Sequence, residues 1–373
     1  FMRRTVTIGD FCGAMERVAP TALAQEWDNV GLLVGDRTGR LRNVLLAIDL
    51  TPAVVGEARR LGADLILAYH PPIFRPLKSL TAPSGDMNSL VYTCVRCGVA
   101  IYSTHTALDA AEGGTNDVLA RLCGVERIEP LGNVDSPQRA EFKLVVFVPP
   151  ASLETVASAM FDAGAGRIGD YSHCSFRLQG EGTFFGSAST NPRVGQRGRL
   201  ERVPETLLEC IVEAESLAAV VSALRQVHPY EEPAFDVYPL KAKPIAGMGR
   251  IGWFKAPTTL GALSTRLRKS IKADSVQLVG ARRDEVSRVV VVAGACGNLP
   301  FSAGLGPGDA VVTGEIRHHD ALSMLRAGAS AIALGHWSSE RPALSPLAER
   351  LAEELRGVRI RISRADRAPL VSP

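Results

Sequence analysis

The sequence predicts an α/β protein made of two related halves, with a smaller α+β domain of ferredoxin-like order inserted between them. Three observations predict it. Apolar runs of strand length alternate with helical stretches in the first third, the last third repeats that grammar, and the middle changes to a strand-helix-strand-strand-helix-strand order. The borders fall in polar, Pro-containing connections near Asp135 and Lys241, which gives segments 1–135, 136–241 and 242–373. At 373 residues the chain has room for two or three domains whose cores need no staples.

In the first segment, Val44–Asp49, Leu65–His70 and Ala100–His105 are almost wholly apolar until their last residues. Such continuity marks strands covered on both faces, as in a mainly parallel sheet. Thr51 caps and Pro52 opens a helix that runs to about Leu61, with Gly62 past its end. Leu90–Cys97 reads as helical, so Cys94 and Cys97 are two half-buried helix thiols, with no second Cys or His pair at zinc spacing. In the middle, the strand Leu144–Val148 stops at Pro149-Pro150 and a helix follows from Ala151 to about Ala163. Gly180–Gly186, a polar Gly/Arg-rich loop from Ser187 to Leu200, a strand Leu208–Val212, a helix Ser216–Gln226 and the edge-like Ala234–Tyr238 complete it. In the last segment, Val289–Gly294, Ala310–Gly314 and Ala331–His336 are again buried-strand runs. Gly247-Met248-Gly249-Arg250-Ile251-Gly252 satisfies GxGxxG, but no apolar strand precedes it and Trp253-Phe254 continue as strand, which argues against a nucleotide fingerprint.

Hydrophobic residues at 46%, charged residues at 22%, 35 Gly and 23 Pro are the proportions of a soluble globular protein and exclude wholesale disorder. With 42 Lys and Arg against 39 Asp and Glu, the net charge of +3 creates no global field for nucleic acid or an anionic membrane. Arg193, Arg197, Arg199 and Arg202 cluster without interleaved aromatics, which reads as a solvated loop rather than a nucleic-acid groove. No run reaches the roughly 18 uncharged apolar residues of a membrane span. Met2-Arg3-Arg4-Thr5 leads into Asp10 rather than an apolar signal core, and seven Cys are an odd number that argues for reduced thiols. A cytoplasmic protein is the expectation.

Three of the six buried runs end in histidine: His70, His105 and His336. Ligands of open α/β sheets gather outside the carboxyl ends of strands, so three imidazoles there can converge. Asp109 lies four residues after His105 and Glu340 four after His336, a spacing that brings nitrogen and oxygen to one ion. Asp49 and Glu315 also end apolar strands and make the cleft cation-seeking. A single strand-end histidine is more often a structural hydrogen-bonding residue, and His318-His319 sits on a helix read as solvated. Three in two similar halves favour a metal site, and mixed His and carboxylate ligation suits zinc, manganese or iron alike.

Glu26-Trp27-Asp28-Asn29-Val30-Gly31-Leu32-Leu33-Val34-Gly35-Asp36, Tyr69-His70-Pro71-Pro72-Ile73-Phe74, His105-Thr106-Ala107-Leu108-Asp109, Thr313-Gly314-Glu315 and Gly335-His336-Trp337-Ser338-Ser339-Glu340 together resemble the NIF-three-like family, also labelled GTP cyclohydrolase I type 2 homologues. The middle segment, with His228-Pro229-Tyr230-Glu231-Glu232-Pro233, is similar to that family's optional insert and to PII/CutA proteins. The resemblance implies two related α/β domains facing a cleft with two divalent ions, and a ring-shaped homohexamer. It implies that His70 and Asp109 bind one ion, that His336 binds the other, that Glu340 bridges both and that His105 lies beside the pair as ligand or support. Many bacterial members carry a histidine at Tyr69, whereas eukaryotic-type members share Tyr-His-Pro-Pro-Ile-Phe, and a neutral phenol is a poor ligand at pH 7. Two ions bridged by a carboxylate perform hydrolase chemistry, so Glu340 and His105 are the catalytic candidates and a nucleotide or other phosphoester the substrate class. The rival reading is a non-catalytic, metal-binding regulatory or scaffold hexamer.

Overall fold

The computed structural model describes residues 5–82, 86–134, 141–190, 193–240, 244–273 and 275–370. The chain forms a mixed α/β fold with several sheets, divided into two compact units. Unit 1 comprises Phe1–Asp135 with Pro244–Pro373, and unit 2 comprises Ser136–Lys243. The sequence-expected borders, Asp135 and Lys241, lie outside the described residues. No helix among the described residues is long and apolar enough to cross a membrane.

The strands of the first segment are β1 (Gly31–Val34), β2 (Asn43–Ala47), β3 (Leu65–Ala68), β4 (Ala100–Ser103) and β5 (Arg127–Val134). Unit 2 contains β6 (Glu141–Val148), β7 (Phe176–Phe185), β8 (Leu200–Glu213) and β9 (Phe235–Pro239). The last segment adds β10 (Ala246–Thr259), β11 (Gln277–Val279), β12 (Glu285–Ala295), β13 (Asp309–Glu315), β14 (Ser330–Ala333) and β15 (Arg359–Ile362).

Unit 1 has two sheets, ordered β1-β4-β3-β2-β15 and β11-β14-β13-β12-β10-β5. In the first, β15, β2, β3 and β4 run parallel; in the second, β12, β13 and β14 do. The continuous apolar runs follow from cores on both faces. Leu46, Leu65 and Leu67 join one core with Phe11, Met15 and Leu347, whereas Leu45, Ile66 and Ile101 join another with Val54 and Val91. Val289, Val291 and Val312 likewise pack with Leu263 and Leu267, while Val290, Val311 and Ala331 face Met324. The two outer segments do not close on themselves. β15 pairs with β2, and β5 pairs with β10, so each sheet takes an edge strand from the other segment.

Local signals operate as read. Thr51 Oγ1 accepts from Val54 N at 3.2 Å to cap the helix Pro52–Leu61, and Gly62 follows it at φ 59°. The GxGxxG run lies inside β10. One local expectation needs correction: Cys94 is buried in the helix Met87–Arg96, but Cys97 stands past its end and is exposed. The apolar face of that helix reaches Cys94 and stops. All seven cysteines are unpaired thiols.

In unit 2 the elements alternate as β6, the helix Leu153–Asp162, β7, β8, the helix Ala214–Val227 and β9. The antiparallel sheet is ordered β7-β8-β6-β9. Val156 and Met160 of one helix and Val220 and Leu224 of the other share a core with Leu144, Val146 and Leu208.

Candidate metal centre

His70, His105 and His336 sit just beyond the carboxyl ends of β3, β4 and β14. The ladder continues past β3, with Tyr69 N bonded to Ala47 O at 2.9 Å and His70 N to Ile48 O at 3.0 Å. Past β14, Leu334 N bonds Thr313 O and Gly335 N bonds Gly314 O, each at 2.9 Å. Gly335, at φ 89°, then turns the chain into the short helix His336–Glu340, which sets His336 and Glu340 on one face.

The result is a chain of alternating carboxylates and imidazoles. His70 Nδ1 lies 2.9 Å from Asp49 Oδ1, and its Nε2 lies 3.3 Å from Glu340 Oε2. His336 Nδ1 lies 3.2 Å from Glu315 Oε1, and its Nε2 lies 3.2 Å from Glu340 Oε1. With each Nδ1 proton donated to a carboxylate, each Nε2 lone pair is directed at the middle of the site, the arrangement that orients histidines for a metal. The ligand atoms of His70, His336 and Glu340 all lie within 4.8 Å of one another.

Glu340 is 3% exposed, and its Oε2 makes no hydrogen bond of good geometry although His70 Nε2 is near. A buried carboxylate oxygen left this way is costly unless a cation faces it. Space is reserved around it. A Cβ at Gly294 would lie 2.5 Å from Glu340 Oε1 and 3.2 Å from His336 Nε2, and one at Gly314 would lie 2.8 Å from His336 Cα. Two imidazole nitrogens and a carboxylate, each imidazole backed by a second carboxylate, therefore fit a divalent ion.

The electrostatics agree. Burial opposes protonation of His70, but hydrogen bonds to Asp49 and Glu340 prevail and push its pKa up to about 10. The hydrogen bond to Glu340 raises His336 against burial. Burial favours the neutral acid at Glu340, yet the two imidazoles hold its pKa below the usual carboxylate value. The site demands positive charge at its centre, which protons supply only while the imidazoles are protonated.

Asp109 is not one of the three converging residues. Tyr69, fully buried, donates its hydroxyl to Asp109 and lies 3.3 Å from Thr115 Oγ1. Burial and the Glu340 charge push Asp109 up to about 6, while the Tyr69 bond works the other way. Burial also raises the Tyr69 phenol. The phenol at the variable position thus occupies the carboxylate that the family pattern assigns to an ion.

His105 flanks the trio, its ring 5.3 Å from that of His70. Its Nδ1 lies 2.9 Å from Asp28 Oδ1, and Asp28, with a side chain fully out of solvent, also accepts from Thr106 N at 3.1 Å and from the Thr106 hydroxyl. Burial would raise Asp28, but the His105 and Thr106 bonds hold it below the usual carboxylate range. His105 takes φ 24°, a strained backbone for a non-glycine residue, fixed by its N–H to Tyr69 O at 3.0 Å.

Three supporting residues were not singled out as functional by sequence. Asn116 donates to Asp109 O at 3.1 Å and Met248 O at 3.0 Å and accepts from Ala293 N at 2.8 Å, tying three segments behind the centre. Ser339 Oγ accepts from Gly294 N at 2.9 Å. Asp28 does lie in the Glu26–Asp36 motif, but its partner is 77 positions away. Local spacing carries no signal for such pairings.

Comparison with known proteins places these observations among relatives. Residues 6–369 match the family described as Duf34/NIF3 (NGG1p interacting factor 3). The chain is 38% identical over 325 residues to a Halalkalibacterium halodurans protein named GTP cyclohydrolase 1 type 2 homolog, covering 86% of each chain. A Mycobacterium tuberculosis protein of the same name is 38% identical over 352 residues, covering 92% of this chain and 91% of that one. The crystal structure of a Bacillus cereus protein related to NIF3 superposes with a TM-score of 0.79 at 34% identity, covering 100% of both chains.

Proposed function

The chain belongs to the Duf34/NIF3 family, and from that premise we propose that it is a metal-dependent hydrolase acting on a nucleotide or other phosphoester, with His70, His336 and Glu340 as principal ligands. The observation that carries the reading is the buried Glu340 carboxylate, one oxygen toward each Nε2, between imidazoles whose Nδ1 atoms are held by Asp49 and Glu315. Bound divalent ions would supply Lewis acidity and lower the pKa of water. Asp49 and Glu315 fix ring orientation and tautomer, and Glu340 supplies negative charge that burial keeps strong. The Asp28-bound His105 stands beside the trio, placed to exchange a proton with substrate through its Nε2. Trp27 and Phe74, 59% and 49% exposed, present rings 6.0 Å apart, and Trp27 lies 5.9 Å from His105, which favours a substrate with a planar base over a simple phosphate ester.

Asp109 and Glu340 would hold a second ion, the weaker of two, because Tyr69 competes for Asp109. Zinc, iron and manganese all suit the donor set. The strand order of unit 2 supports reading it as the family's PII/CutA-like insert, and the family resemblance supports a cytoplasmic homohexamer. Hydrolysis of GTP and of simple phosphoesters by metal-loaded protein tests the assignment. Turnover that co-elutes with the protein and vanishes in Glu340→Gln is the expected result. Metal binding without turnover of any phosphoester would instead make the protein a regulatory metal-binding assembly.

A further inference from the structure

Unit 2 carries an open pocket of about 290 Å³ built from its own elements, with Phe184, Arg193, Glu205, Tyr230 and Glu232 among its lining residues. The cavity uses the His228–Pro233 motif, which the metal centre leaves unused. His228 is a strut there: its Nε2 donates to Phe147 O at 3.0 Å, and its Nδ1 accepts from Tyr230 N at 3.1 Å. This fixes the backbone that presents Tyr230 and Glu232. The Tyr230 hydroxyl oxygen is buried beside Glu205 without a hydrogen bond of good geometry. Glu205 itself is folded over Gly182, where a Cβ would lie 2.1 Å from its Oε2.

Charge in this cavity is unusual. Of the four arginines clustered in sequence, Arg202 lies in β8 rather than in the loop, and three are satisfied within the unit: Arg199 pairs with Glu201 at 2.5 Å, Arg202 with Glu181 at 2.8 Å, and Arg197 donates to Ala188 O at 3.0 Å. Arg193 forms no ion pair among the described residues, and neither do Glu205 and Glu232, although all three line one pocket, in which Glu231 is a further carboxylate. Opposite charges held in one pocket but apart from each other match a ligand that carries both signs. Among the described residues, the group able to share one metal ion is His70, His336 and Glu340, so the cavity's carboxylates suit an organic cation with several donors. The volume is at the small end of ligand pockets, which run from about 300 Å³ upward, and is sufficient for an amino acid.

We propose that this cavity binds a small amino acid with a cationic side chain, its carboxylate on Arg193 and its side-chain cation against Glu205, Glu232 and the Tyr230 hydroxyl. Calorimetric titration of the full chain with L-lysine and L-arginine tests it, with putrescine as the probe lacking a carboxylate and L-norleucine as the one lacking a side-chain charge. One L-lysine or L-arginine per chain is expected, with norleucine and putrescine each weaker by at least about tenfold. Arg193→Ala should weaken the amino acid by a similar factor without weakening putrescine. Gly182→Ala, which displaces Glu205 without replacing a lining residue, should weaken both, and Glu205→Gln provides the same test by charge alone. Absence of binding by both basic amino acids, putrescine bound as tightly as they are, or binding insensitive to both Gly182→Ala and Glu205→Gln would overturn the proposal.

Discussion

Replacing Gly294 by alanine probes the metal centre without altering any charged group. Gly294 holds φ 62°, and a Cβ there would meet Glu340 Oε1 at 2.5 Å. Gly304 holds the same φ of 62°, yet a Cβ there meets nothing within 4 Å. Both alanine variants carry the left-handed backbone penalty of about 1–2 kcal/mol, which lowers the melting temperature of a domain this large by roughly 2–8 °C. Only Gly294→Ala adds a contact about 1 Å inside normal nonbonded separation. Glu340 is 3% exposed, so its carboxylate has no solvent side to yield into and must rotate away from the imidazoles. Metal affinity should therefore fall by at least about tenfold, the range seen when even an outer partner of a metal ligand is lost. Elemental analysis after dialysis and calorimetric metal titration of both variants measure it. Equal metal content and affinity in Gly294→Ala and Gly304→Ala would refute the assignment of Glu340 and His336 as ligands.

Three further outcomes are expected. Arg250, fully buried, donates to Asp117 at 2.7 Å and to the carbonyls of Gly247, Gly249, Ala110 and Ala111, so Arg250→Met strands a buried carboxylate and should cost about 3–5 kcal/mol in urea unfolding; a loss below about 1 kcal/mol would contradict this. In metal-stripped protein the His70 pKa rises from 6.5 to about 10 on folding, so its contribution is complete below about pH 6.5 and lost as pH climbs toward 10. The stability gap between wild type and His70→Gln should accordingly shrink from about pH 6 to about pH 10 in denaturant titrations, and a constant gap would disprove the proton-holding role. Tyr69→His removes the hydroxyl that engages Asp109 and supplies a nitrogen donor, where ionising the phenol at pH 7 costs more than about 4 kcal/mol, so ions bound per chain should rise. An unchanged count by elemental analysis would show that Tyr69 does not limit occupancy.

Much of this protein was legible in one dimension because its information is local. The unbroken apolar runs at β2, β3, β4, β12, β13 and β14 announced strands buried on both faces, since alternate side chains must feed two cores. Thr51, Pro52 and Gly62 marked a helix through capping chemistry that acts within a few residues. Histidines at strand ends announced a site because the carboxyl edge of a parallel sheet is where such residues converge. Tertiary structure alone decided the rest. Strand pairing depends on which edges are left open in space, so no local pattern foretold that β15 would join β2 or that β5 would join β10. Spacing placed Glu340 near His336, but only the meeting of two sheets set its other oxygen toward His70. Spacing gave no sign that the buried Tyr69 hydroxyl would donate to Asp109, because that bond joins residues 40 positions apart. Sequence states which donors are available; packing determines which of them are already engaged.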